Sequence, residues 1–202
     1  MMNATSAALL VLGAAALAGC SVNIGNDAPQ AAPAAPRAAG VDAPAERLPT
    51  DVRRSTIIVR DMENSLKLYR DVIGLEVNYD TTVQTSGVAL PAGEPGATAR
   101  LVLLNSNDPW VGWVGLMEWL DPPIPADDYP KRMGPGDVVM VLNTDDVEGR
   151  CAKAKRVPGV TFTAEPRLQV YPGRDGGPDI RVMGCNFFDP DGILIELNQI
   201  LE

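Results

Sequence analysis

From residue 54 the chain reads RSTIIV, a β-branched run ending at Arg60-Asp61, after which the apolar period changes from two to about 3.6. Met62, Leu66, Tyr69 and Ile73 then fall on one helical face, with Asp61 suited to the N-cap and Gly74 to the C-cap. LEVNYDTTV, from residue 75, alternates as a strand, and ARLVLLN (99–105) and WVGWVGLMEW (110–119) supply two more. After the Pro-rich break DPPIPADDYPKRMGP (121–135) the order begins again. VVMVL (138–142) is a strand, Asp145-Asp146 caps a short helix carrying Val147, Cys151 and Ala154, and 159–163 reads as the next strand. The glycine-rich YPGRDGGPD (171–179) separates it from strands over 180–188 and 193–198. Asp189-Pro190-Asp191-Gly192 between these two suits a type I turn with a bulge, a hairpin connection. The pattern predicts an α+β chain of two βαβββ halves.

Upstream of residue 50 the pattern is different in kind. Residues 7–18 are apolar without a charge, too short to cross a bilayer but suited to a secretory h-region. Leu17-Ala18-Gly19-Cys20 resembles the lipobox of bacterial lipoproteins, although the basic n-region is missing. The resemblance implies a signal peptide over 1–19, lipidation of Cys20, and a domain anchored in the cell envelope facing the periplasm or the cell surface. Ser21 leans towards outer-membrane sorting in a double-membrane bacterium. Residues 20–49 are rich in Ala and Pro without an aromatic side chain, the composition of a semi-extended tether. The folded part is expected over 50–202.

Composition excludes one class of partner. Seventeen basic against 26 acidic residues give a net charge of −9, which disfavours nucleic acid. Cys151 and Cys185 remain once Cys20 is lipidated; an oxidising compartment would let them pair, while two buried free thiols are the commoner outcome. No Walker A, GxSxG, HExxH or CxxC pattern occurs.

The strand ending VRD with MENSLKLYRDVIGLEV (62–77), and FFDPDGILIEL (187–197), resemble the opening module and closing hairpin of the vicinal-oxygen-chelate superfamily, which includes glyoxalase I, bleomycin-resistance proteins and extradiol dioxygenases. The resemblance covers about 52–202, with modules over 52–120 and 136–202. It implies two βαβββ modules forming a curled mixed sheet around a shared cleft, helices outside.

Metal-bearing members draw ligands from the first and last strand of each module, which here match Arg54, Glu118, about Val139, and Glu196. Only Glu118 and Glu196 offer oxygen to a divalent cation, and with no histidine in the chain an imidazole-held zinc or iron is excluded. Arg54 suits the place of the metal, because its planar fork fits a carboxylate. Strand alternation adds Thr56 and Ile58 to Arg54, Leu194 and Asn198 to Glu196, and Val114 and Leu116 to Glu118. Trp113 and Trp119 would oppose Glu118 and pack under the helices, Trp110 would sit at a rim, and Arg174 would ride on a mobile loop.

The expectation is a lipid-anchored protein that binds a small organic molecule without a cofactor, as bleomycin-resistance proteins do. The alternatives are a glyoxalase-like lyase or isomerase using a cation held by Glu118 and Glu196, and an interaction module with a vestigial cleft whose Arg–Glu pair is only a buried ion pair. A homodimer with modules exchanged between two chains stays open.

Overall fold

In a computed structural model, residues 50–126, 128 and 132–201 are described; the leader, Cys20 and the tether lie outside them. The first module comprises β1 (Arg54–Ile58), α1 (Met62–Leu66) continuing as a π-helical segment (Lys67–Val72), β2 (Glu76–Gln84), β3 (Thr98–Asn105) and β4 (Trp113–Asp121). The second comprises β5 (Val139–Asn143), α2 (Val147–Ala154), β6 (Thr161–Tyr171), β7 (Ile180–Phe188) and β8 (Leu194–Leu201). The sheets run β1-β4-β3-β2 and β5-β8-β7-β6. β1 lies parallel to β4 and β5 parallel to β8, while the remaining pairs are antiparallel. This is the α+β chain of two βαβββ modules that the pattern predicts.

The helix boundaries follow from their caps. Asp61 Oδ1 accepts from the Asn64 amide at 3.0 Å, and Asp146 Oδ1 from the Gly149 amide at 2.9 Å. Gly74 stands at φ +87°, and a Cβ there would come 2.6 Å from Arg150 Nη1. β6 outruns its predicted span because Pro166 and two register shifts, Phe162/Ala164 and Ala164/Arg167, interrupt its alternation without ending its pairing to β7.

One hydrophobic core joins the two modules. It contains Met62, Leu66 and Tyr69 from the first helix and Val147, Cys151 and Ala154 from α2, together with Val114, Leu116, Phe187, Ile195 and Leu197 from the strands. Arg150 Nη1 donates to the Val72 and Ile73 carbonyls at 2.8 and 2.6 Å, so α2 closes the end of the π-helical segment directly. Both helices therefore lie on the core side of the sheets, away from the outward faces. Periodicity gives each helix an apolar stripe without saying whose sheet meets it, and one common core covers both stripes at once. A disulfide within this core joins Cys151 to Cys185, 34 residues apart, and ties α2 to β7. The expectation of two free thiols is corrected, since sequence carries no distance between the two positions.

Candidate functional site

The faces turned away from the common core carry most of the candidate residues. Ile57 and Val59 enter the core, so Arg54, Thr56 and Ile58 point outward and are exposed. The parallel register sets Arg54 beside Trp113 and Thr56 beside Gly115, where an added Cβ would come 2.6 Å from Thr56 Oγ1. Glycine is what lets the threonine lie flat on this face.

Glu118 belongs to the other face. It shares parity with Val114 and Leu116 of the core, and its Oε2 accepts from the Met62 amide at 3.2 Å, at the start of α1. Arg54 and Glu118 are thus separated by the sheet, and the expected cleft joining them is not formed. Trp119, 4% exposed, packs outward with Ala97, Ala99 and Met117, and its indole meets Gly93 of the turn between β2 and β3. The expected place of Trp119 under the helices is corrected likewise. β4 is apolar on both faces, so alternation separates the two sets without saying which one the helix covers. Trp110 is 44% exposed beneath the Arg53 guanidinium, 3.9 Å from its ring centre.

On the second sheet Ile195 and Leu197 face the core, which turns Leu194, Glu196 and Asn198 outward. Val139 pairs with Leu194, Val141 with Glu196 and Asn143 with Asn198, and Val141 and Ile200 are each more than 60% exposed. Asn198 Nδ2 donates to Glu196 Oε1 at 2.8 Å. Gly184 of β7 lies opposite Asn198 in the register, and the Asn198 and Gln169 amide groups both rest over it. Among the described residues, Asn198 Oδ1 and Gln169 Nε2 are buried without a hydrogen-bond partner. The structure therefore groups Glu196, Asn198 and Val139 on one face, Arg54 and Thr56 on another, and leaves Glu118 outside both. Among the described residues Arg54 forms no ion pair, and the hydrogen-bond partner of Glu196 is Asn198.

The closing motif contains acidic residues whose work sequence reading missed. Asp189 is 1% exposed; its Oδ1 accepts from the Asp191 and Ile193 amides at 2.8 and 2.7 Å, and its Oδ2 from the Tyr69 hydroxyl at 2.7 Å. Burial pushes the Asp189 carboxyl above the usual aspartate range, against the pull of these three donors. Burial, reinforced by Asp189, raises the Tyr69 phenol well above its ordinary value. Asp191 Oδ1 accepts from the Arg60 amide and Nε at 3.0 and 3.2 Å, and Oδ2 from Ser65 Oγ at 3.0 Å. These contacts fasten the start of the first helix to the β7–β8 turn. The available signal was Tyr69 on the apolar helix face, since a buried phenol needs a partner.

The four positions matched to metal ligands do not fit a divalent ion. Arg54 brings a cation, Val139 no donor, and Glu118 lies on the opposite side of its sheet from the outward face that holds Arg54. Among the described residues no group of three or more His, Cys, Asp and Glu side chains could hold a metal.

Two parallel-edged βαβββ modules with a family-type closing hairpin define a paired-module protein of the glyoxalase type. The chain belongs to the Glyoxalase/Bleomycin resistance protein/Dioxygenase superfamily, whose family model matches residues 52–197. A glyoxalase family protein from Bacillus cereus shares the fold with TM-score 0.60 at 18% identity, over 80% of this chain and 100% of that one. An antibiotic-binding protein, TnmS3, from Streptomyces sp. CB03234 aligns with TM-score 0.45 at 22% identity, over 77% and 100%. The fosfomycin resistance protein FosX from Listeria monocytogenes, in complex with Mn(II), aligns with TM-score 0.42 at 16% identity, over 75% and 93%. No curated protein matches the chain.

Proposed function

We propose that the chain is a small-molecule-binding member of this superfamily that works without a transition metal, and that its cleft forms where outward faces of two copies meet. The observation that carries this reading is the complementary charge of two uncovered faces: Arg54 without an ion pair among the described residues on one, Glu196 held by Asn198 on the other. A guanidinium and a carboxylate set among Thr56, Val139 and Val141 suit a small amphipathic or cationic organic molecule. A carboxylate-held cation has less support, because Glu118 and Glu196 belong to different sheets and Glu118 faces the core side of its own.

In this reading residues 1–19 are a lipoprotein signal, Cys20 carries the lipid, and 20–49 tether the domain to the envelope membrane. The Cys151–Cys185 disulfide supports an oxidising compartment. Among the described residues no helix is long and apolar enough to cross a membrane.

The test is a thermal-shift screen of small amphipathic ligands against the full-length chain, repeated with Arg54→Ala. At least one ligand is expected to raise the wild-type midpoint, and the substitution to remove most of that rise. Stoichiometric metal lost on Glu196→Gln, or no shift across a broad set, would overturn the proposal.

A further inference from the structure

Beyond the outward faces, a hollow of about 250 Å³ opens where β1 ends, between Glu118 and Trp119 of β4 and the segment Pro123, Ile124 and Pro125, with Ile58 also in its wall. None of Arg54, Glu196 and Asn198 lines it, so it is distinct from the charged part of the cleft proposed above, although Ile58 borders both. We infer that this hollow binds a small organic cation, an alkylammonium group seated on the Glu118 carboxylate.

The charges present favour that class. Glu118 is half-buried, and its Oε2 is engaged by the Met62 amide. Its Oε1 accepts no hydrogen bond and the carboxylate makes no ion pair among the described residues. The cation at the rim, Arg60, is paired with Asp191, whose side chain is 4% exposed, so these two charges offset each other. Among the described residues an occupant therefore meets one uncompensated carboxylate, whose half-burial makes a neutralising partner worth more than at an open surface.

The wall decides between kinds of cation. A hard divalent ion needs six or more oxygens, and among the described residues the hollow offers Glu118 and the Arg60-paired Asp191 amid two prolines, two isoleucines, Val59 and Ala126. Methylated ammonium groups, weakly hydrated, suit such an apolar wall. The volume lies below the roughly 300–1,000 Å³ of drug-sized sites, which limits the occupant to a small molecule. The chain's net charge of −9 favours the approach of cations generally.

Isothermal titration of the full-length chain with choline, and with its neutral isostere 3,3-dimethylbutan-1-ol, tests the inference. Choline is expected to bind at one site, and the neutral isostere about tenfold or more weakly. Glu118→Gln keeps an oxygen for the Met62 amide, so the fold should persist while choline affinity falls about tenfold and binding of the neutral isostere stays as it was. Ile58→Lys, a charge added at an exposed position of the wall, should weaken choline in the same direction and carries the test if Glu118→Gln fails to fold. Equal binding of the two probes, choline affinity unchanged in both variants, or no choline binding at millimolar concentration would overturn it.

Discussion

At the scale of single residues, the two acidic positions of the closing hairpin do different work from Glu196, the third residue of β8. Asp189 is buried against Tyr69, and removing the phenol leaves a carboxylate short of a donor inside the core. Tyr69→Phe is expected to cost about 1.5–3 kcal/mol, the range for a hydrogen bond to a charged group, measured by urea denaturation at pH 7. The loss should depend on pH. Asp189 titrates above the ordinary value of 3.8 when folded, so its stability contribution is fully present below that value and is lost as pH rises through the raised one. Without the phenol the raised value climbs further, and the penalty of Tyr69→Phe should therefore be larger at pH 7 than at pH 4. An equal penalty at both would show that the hydroxyl acts on something other than the carboxylate.

At the scale of elements, α2 is the piece on which the two modules depend. It enters the common core through Val147 and Cys151, holds β7 through the disulfide, and closes the π-helical segment through Arg150. Replacing both cysteines, Cys151→Ala with Cys185→Ala, should lower stability by about 3–4 kcal/mol, the loop-closure value for 34 residues. The check is denaturation of the variant and of reduced wild type, each against oxidised wild type, and a midpoint unchanged from the oxidised protein would contradict the bond's structural role. Most of this level was legible beforehand. Asp61, Asp146 and Gly74 mark their helix ends by local chemistry that needs no tertiary partner, and the Asp189–Gly192 turn fixes its hairpin for the same reason. The assignment of faces was not legible. Met117 and Trp119 on one side of β4 are as apolar as Val114 and Leu116 on the other, so Glu118 could be put on either side. The pairing of Cys151 with Cys185 and the length of β6 past Pro166 likewise depend on neighbours brought in by the fold.

At the scale of the whole molecule, a core that takes both helices leaves part of the outward face of each sheet without a cover among the described residues, the Trp119 cluster filling the rest of the first. Val139, Val141 and Ile58 remain between 43% and 61% exposed on those faces. Arg54 and Glu196 stand on these faces with opposite charges, and two copies related by a twofold axis would bring each Arg54 towards Glu196 of the partner subunit, twice over. The fold alone does not require this, since the core is complete within one chain; the proposal rests on the uncovered faces. Sedimentation velocity of the full-length chain in detergent, compared with Arg54→Glu, Glu196→Arg and the double exchange, tests it most directly. The account predicts a wild-type dimer, weakened by either single reversal and restored when both are combined. A wild-type monomer, or a dimer indifferent to both reversals, would contradict it.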